Sequence, residues 1–179
     1  MIRGLGLYTP TEAIDIMDVR NWEEPGDGPV EDKLLDVRNR CADIPDGFVW
    51  IGLFEPTKAE LEIVAATFNL NHLLVEDAAN PAQRPKIELD DNGHGLVILK
   101  VLDYIEKSSD VNTGQLAVFV GSDYVITVRF GQIGDLRNIR ARVQASPNLR
   151  EIGPLGVLYA LMDSIVDGYV SVAEEVSVD

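Results

Sequence analysis

Two adjacent carboxylates, Glu76 and Asp77, are the residues of this chain whose type and position could bind a metal ion. They lie in the short apolar segment 73–80, which we expect to form one or two helical turns. Because Pro81 and Pro85 restrict the backbone that follows, the helix cannot continue beyond this segment. The carboxylates should then lie at a surface corner, where oxygen ligands suit a hard cation such as Mg²⁺. The alternative is that the pair only contributes solubility, as acidic residues on surface helices commonly do.

The residues that a nucleophilic, zinc or phosphate-binding site would need occur in this sequence without the motifs of such sites. Cys41 falls on the apolar face of a predicted helix, and no Gly-x-Ser-x-Gly motif of a nucleophilic serine occurs. His72 and His94 are interpreted as lone histidines without a spaced ligand partner, which argues against a zinc site. Gly4 and Gly6 lack the third glycine and the helix of a phosphate-binding loop. We therefore expect that the protein is not an enzyme.

Composition narrows the class of protein and the class of partner. A length of 179 residues with 46 % hydrophobic content suits one globular domain with a core of its own. The net charge of −15 should repel nucleic acid and anionic lipid surfaces and attract cations or basic partners. A single cysteine fits a reducing cytosol. We expect no secretory signal and no apolar run of membrane-spanning length in these residues.

Hydrophobic periodicity and turn residues predict the elements that must position the carboxylates. One helix is expected at 30–42, a second directly after the capping box formed by Thr57 and Glu60, and a third at 135–145. The loops between the strands after residue 87 are too short for crossovers, so that part of the sheet should be antiparallel. The predicted strands are 3–8, 13–17, 48–54, 87–89, 96–105, 114–120 and 124–130.

The last predicted helix begins at Pro154, a residue that suits the first helical turn. Its apolar residues repeat with alternating spacings of four and three, as in a helix that packs along its whole length against other helices. We call them the seam residues. They are Leu155, Tyr159, Met162, Val166, Tyr169, Ala173 and Val176. The helix is longer than a small sheet can cover, so its far end should need a neighbour from further sequence or another subunit.

Arginine is concentrated near the predicted helix 135–145. These side chains form either a patch for an anion or acidic partner, or a solvated face that offsets the acidity elsewhere, and the sequence leaves this open. The arginines are Arg129, Arg137, Arg140, Arg142 and Arg150.

An ordered series of motifs between residues 48 and 170 resembles the N-terminal cytosolic domain of the CorA family of magnesium and cobalt transporters, the 2-TM-GxN metal ion transporters. The motifs are Trp50 in its strand, the capped helix, Glu76-Asp77, Arg84-Pro85-Lys86-Ile87-Glu88, Thr127-Val128-Arg129 and Leu158-Tyr159-Ala160-Leu161-Met162-Asp163-Ser164-Ile165-Val166-Asp167-Gly168-Tyr169. We therefore predict an α/β/α sandwich with a mixed, largely antiparallel sheet flanked by helices. Residues 1–152 should form the cytosolic α/β domain, and residues 153–179 the start of a long stalk helix.

The resemblance also implies the roles of the carboxylates. The residue matching Asp77 faces a carboxylate on the stalk of the next subunit, with a divalent cation between them, while those matching Glu76 and Asp163 surround a second position. Asp167 is assigned to solvation and is not carried over. Weakly bound Mg²⁺ or Co²⁺ would hold identical subunits of a pentamer in a closed arrangement, and loss of the ion would let the pore open.

Membrane helices and the Gly-Met-Asn signature of the family do not occur in this sequence. We expect a piece of a longer transporter that ends within the stalk, lies on the cytoplasmic side of the cell membrane and is a monomer or weak oligomer by itself. It would meet the membrane only through segments outside this chain. Two alternatives stay open: the cytosolic domain of a zinc-transporting relative, and a stand-alone acidic binding protein.

Overall fold

The fold is built on one seven-stranded sheet in a computed structural model that describes residues 2–17, 29–91, 93–105, 108, 110–131 and 136–178. The strands are β1 (Ile2–Tyr8), β2 (Ala13–Met17), β3 (Phe48–Phe54), β4 (Lys86–Leu89), β5 (Gly95–Ile105), β6 (Asp110–Val120) and β7 (Tyr124–Phe130). The helices are α1 (Val30–Ala42), α2 (Lys58–Phe68), α3 (His72–Ala79), α4 (Leu136–Ala145), α5 (Pro147–Glu151) and α6 (Pro154–Val178). The predicted loop at 21–28 and the proposed helix cap Asp135 lie outside the described residues.

The strand order is β2-β1-β3-β7-β6-β5-β4. Only the central pair β3–β7 is parallel, and the other neighbouring pairs are antiparallel. After β3 the chain crosses through α2 and α3 to the far edge, where β4 begins, and then returns by hairpins to the centre. The predicted mixed, largely antiparallel sheet is confirmed.

Helices cover both faces of this sheet, as the predicted sandwich requires. Alternating side chains of each strand point to opposite faces. One face packs against α1, α2 and α3 around Ile51, Ile98 and Ile126. The other packs against α4, α5 and α6 around Trp50 and Val118. The α3 corner and helix α6 therefore lie on opposite sides of the sheet.

The capping box predicted at Thr57 is present. The Thr57 hydroxyl accepts a hydrogen bond from the Glu60 backbone N–H at 3.2 Å, and the Glu60 carboxylate accepts one from the Thr57 N–H at 2.7 Å. The short helix α5 was not predicted, because Pro147 suggests a break in the chain. Proline is equally suited to a first helical turn, and Ser146 caps this one.

Helix α6 begins at Pro154 as predicted, but it has two apolar faces. The face that packs on the sheet consists of residues outside the seam, namely Val157, Ala160, Leu161, Ile165 and Val172. The seam is directed mostly outward: Leu155 is 60 % exposed and Val166 is 54 % exposed. Tyr169 is the exception, since its hydroxyl donates a hydrogen bond to the backbone carbonyl of Lys100. A role of this helix as the start of a stalk stays a prediction.

One sequence-based expectation about α6 is corrected. Among the described residues, the segment Pro154–Ser177 is long and apolar enough to cross a membrane, although we expected no such segment. The expectation rested on uninterrupted apolar runs, and this helix contains Asp163 and Asp167. Length and composition do not make it a membrane span, because helices that pack on a soluble core meet the same criteria, and one third of the segment is buried here.

Candidate cation site

Helix α3 places the two predicted carboxylates at a corner of the molecule. The Asn71 side chain caps the helix by accepting a hydrogen bond from the Leu73 N–H at 2.9 Å. Leu74, Val75 and Ala78 face the core, and this leaves Glu76 and Asp77 on the outer side. The helix ends at Ala79, and the next residue, Asn80, has an extended backbone ahead of Pro81, in agreement with the restriction expected from proline.

Asp77 is engaged by polar side chains from the following segment. Lys86 Nζ lies 2.6 Å from Asp77 Oδ2, and the Gln83 amide donates a hydrogen bond to Asp77 Oδ1 at 2.5 Å. Lys86 Nζ also lies 2.9 Å from Glu88 Oε1. The hydrogen bonds to Asp77 and then to Glu88 raise the pKa of the Lys86 ammonium above its ordinary value. An ammonium group thus occupies the space between two carboxylates.

Glu76 and Asp163 each lie near a basic group, at separate places in the fold. The Glu76 carboxylate is largely exposed, and its Oε1 is 3.9 Å from His72 Nε2 one helical turn earlier. On α6, Asp163 Oδ2 accepts a hydrogen bond from Arg142 Nη1 at 2.7 Å. This bond raises the pKa of the Arg142 guanidinium. Because α3 and α6 lie on opposite faces of the sheet, one chain does not bring the three predicted ligands together.

The two histidines do have spaced carboxylates, contrary to our interpretation of the sequence. Besides His72 with Glu76, His94 Nδ1 lies 3.4 Å from Asp90 Oδ2, also at a separation of four residues. Neither pair gains a third ligand, since the part of the chain that the structure describes contains no cluster of three or more His, Cys, Asp or Glu side chains suited to a metal ion. Both pairs are separated by four residues, a spacing that is already visible in the sequence.

The corner after α3 is anchored to the sheet by two polar residues that sequence reasoning missed. The buried Gln115 donates a hydrogen bond to the Asn80 carbonyl at 2.8 Å. Lys100 Nζ lies 3.0 Å from the Gln115 side-chain oxygen and 3.3 Å from the Pro81 carbonyl. The signal was a polar residue within each of two apolar strands, where a buried polar group needs a partner. These contacts fix the end of the helix that carries Asp77.

Four of the five arginines singled out in the sequence have separate partners within the chain. The Arg140 guanidinium stacks 4.4 Å from the ring centre of Trp50, and that of Arg129 stacks 4.8 Å from Phe54. Arg142 is paired with Asp163, and Arg150 is buried among backbone carbonyls. The side chain of Arg137 lies outside the described residues. Each of these four arginines therefore has a partner within the chain.

Comparison with known proteins identifies the family. The profile of the family described as CorA-like Mg²⁺ transporter protein matches residues 45–178, which is well over half of the chain. This chain belongs to the CorA-like Mg²⁺ transporter family. The match includes α3, the corner after it and nearly all of α6. The CorA-like family is one of transporters and not of enzymes.

Curated relatives of this CorA-like chain carry related names. It is 27 % identical over 126 residues to the putative metal ion transporter YfjQ of Bacillus subtilis. These residues make up 70 % of this chain and 38 % of that relative. It is 27 % identical over 115 residues to the cobalt/magnesium transport protein CorA of Thermotoga maritima, covering 63 % of this chain and 32 % of that protein. The chain thus spans about a third of the length of these two relatives.

Solved structures agree with the CorA-like fold. The soluble domain of CorA from Methanocaldococcus jannaschii superposes with a TM-score of 0.59 at 19 % identity, covering 73 % of this chain and 51 % of that one. The ZntB cytoplasmic domain from Vibrio parahaemolyticus superposes with a TM-score of 0.54 at 12 % identity, covering 96 % of this chain and 63 % of that one. At these identities the likeness concerns the fold alone.

Proposed function

We propose that this chain is the cytosolic regulatory domain of a CorA-type transporter or channel for Mg²⁺ or Co²⁺. The observation that carries the proposal is the family match over residues 45–178, which spans the corner of α3 and helix α6. The domain would lie on the cytoplasmic side of the cell membrane, and it would reach the membrane through segments outside this chain. Transport itself would belong to those segments, and the domain would control it.

Carboxylates at contacts between subunits would sense the ion. Asp77 lies at an outer corner and is 28 % exposed, so a second subunit can approach it. Carboxylates that face each other across such a contact repel, and a divalent cation converts the repulsion into a bridge. High Mg²⁺ would then favour the closed assembly, because a ligand stabilises the state that binds it better. Glu76 and Asp163 would contribute at a neighbouring position.

The outward seam of α6 supports assembly with further helices. An apolar stripe of this kind is costly in water unless another element covers it. Because the seam repeats with spacings of four and three, its partner should be helical, from identical subunits of a pentamer. Without such partners the 179-residue chain should be a monomer or a weak oligomer, with metal sites that are only partly formed and bind Mg²⁺ weakly.

A zinc-transporting relative is the second candidate, because the ZntB cytoplasmic domain shares the fold over 96 % of this chain and the fold alone does not decide which ion is transported. Uptake assays on a full-length transporter that carries this chain separate the two. We expect accumulation of Mg²⁺ and Co²⁺ to rise in cells that express it, with Zn²⁺ content unchanged. Movement of Zn²⁺ alone would replace the first assignment by the second. Failure to move any of the three ions would contradict both.

A further inference from the structure

Both oxygens of the Asp77 carboxylate already have donors within the chain. Oδ2 lies 2.6 Å from Lys86 Nζ, and Oδ1 accepts from Gln83. Magnesium keeps most of its water and takes only one or two carboxylates from a protein, so it needs at least one Asp77 oxygen. The donor to Oδ1 is a neutral amide, whereas the donor to Oδ2 is the charged Lys86 ammonium. A cation approaching that oxygen must therefore displace an ammonium group.

The fold, rather than a flexible tail, places Lys86 there. Strand β4 pairs with β5 in a register that sets Lys86 opposite Ile98 and Glu88 opposite Leu96. Lys86 and Glu88 therefore project to the α3 side of the sheet, while Ile87 between them points to the other side. The Lys86 side chain is only 25 % exposed. Its ammonium is thus held beside Asp77 by strand register and by a second carboxylate.

We propose that Lys86 is a built-in competitor of the divalent cation at Asp77, and that it sets the ion concentration at which the domain responds. The inference rests on the proposed function of Asp77 as a cation ligand. When a ligand can bind only a fraction of the molecules, its apparent affinity falls by that fraction. If Lys86 covers Asp77 in about 80–90 % of the molecules, removing it should tighten binding about five- to tenfold.

Charge strengthens the competition at physiological pH. The Lys86 ammonium lies 2.6 Å from Asp77 Oδ2 and 2.9 Å from Glu88 Oε1, so its positive charge faces two carboxylates at once. A substitution to neutral glutamine leaves two carboxylates whose oxygens both lay within 3 Å of the same nitrogen. Their mutual repulsion then also favours a cation. Lys86→Arg keeps the charge and should keep the weak binding.

Calorimetric titration of the 179-residue chain with MgCl₂ at constant ionic strength tests the inference. We expect Lys86→Gln to bind about five- to tenfold more tightly than the wild-type chain. Lys58→Gln is the matched control, because it removes the same charge from an exposed lysine paired with Glu62, and it should stay within about twofold of wild type. The double variant Asp77→Asn, Lys86→Gln should lose the gain. Lys86→Met serves if the glutamine variant fails to fold.

Three results would overturn the inference. Equal affinities of wild type, Lys86→Gln and Lys58→Gln would mean that Lys86 does not compete. An equal gain in both lysine variants would assign the effect to net charge alone. Persistence of the gain after Asp77→Asn would place the ion elsewhere, and would remove Asp77 as the ligand in the chain. The proposed transport function is judged separately, from ion uptake by the full-length protein, so its failure is distinguishable.

Discussion

Two buried tyrosines illustrate how individual polar groups stabilise this domain. The Tyr8 hydroxyl accepts a hydrogen bond from Arg140 Nη1 at 2.9 Å. The Tyr124 hydroxyl is also buried, but it has no hydrogen-bond partner among the described residues. Burial, with smaller contributions from the charges of Asp90 and Asp123, raises the pKa of Tyr124 to about 12. The two side chains are a matched pair in which only one hydroxyl is satisfied.

Removing the Tyr8 hydroxyl and removing the Tyr124 hydroxyl should therefore affect the free energy of unfolding differently. Tyr8→Phe should lower the free energy of unfolding by about 1–2 kcal/mol, because the Arg140 guanidinium loses an acceptor. Tyr124→Phe should change it by less than about 0.5 kcal/mol or increase it, because it removes an unsatisfied buried group. Urea denaturation at neutral pH measures both. Equal losses in the two variants would contradict this account of Tyr124.

At the residue scale, sequence reasoning located carboxylates but not their partners. Glu76 and Asp77 were placed at a surface corner because proline effects are local, and the corner is where the structure has them. The contact of Asp163 with Arg142 depends on how α4 packs on α6, which no local pattern encodes. Lys86 lies in the motif Arg84-Pro85-Lys86-Ile87-Glu88, but its position beside Asp77 follows only from the register of β4 on β5.

At the scale of elements, Arg150 joins parts of the chain that are distant in sequence. It is only 5 % exposed, and it donates hydrogen bonds to the carbonyls of Thr9 and Thr11 in the turn between β1 and β2, each at 3.2 Å. It also donates to the carbonyls of Val143 and Gln144 at the end of α4. Four backbone carbonyls thus accept from one guanidinium, and that of Val143 also accepts from the Ser146 N–H.

Substitution of Arg150 should therefore be among the more destabilising changes. Arg150→Met keeps most of the side-chain volume but removes a buried guanidinium that donates to four backbone carbonyls, so we expect a loss of about 3 kcal/mol or more. Arg40→Met is the control, because Arg40 is exposed and its ion pair with Asp36 is long, at 3.9 Å. This substitution should cost less than about 1 kcal/mol. Thermal and urea unfolding compare them. A loss for Arg150→Met no larger than that of the control would show that the carbonyls find other donors.

The prediction of elements was accurate where one signal decided the outcome. Helices α1 and α2 and strands β3 and β7 follow from periodicity, capping and turn residues, and they lie where they were expected. Helix α6 shows the limit of such reasoning. Apolar spacing identified the seam, but it could not tell which of two apolar faces meets the sheet, because that choice depends on α4, α5 and the strands together.

At the scale of the whole molecule, the fold keeps two of the proposed cation ligands of one chain apart, and the proposed control is therefore one between subunits. Asp77 and Asp163 lie on opposite faces of the sheet, and each is neutralised by a basic residue of its own chain. A cation that bridged Asp77 to a neighbouring subunit would couple ion concentration to assembly. Such coupling between a ligand and a global state is typically worth 5- to 150-fold in affinity.

The central claim is that cytosolic Mg²⁺ closes the transporter through Asp77. The direct test is ion flux through the full-length transporter that carries this chain, measured against cytosolic Mg²⁺ for the wild type and Asp77→Asn. Asp91→Asn, which alters an exposed carboxylate elsewhere on the surface, is the control. We predict that Asp77→Asn raises the Mg²⁺ concentration for half-maximal inhibition by roughly fivefold or more, while the control leaves it unchanged. Coincident inhibition curves for all three proteins would contradict the claim.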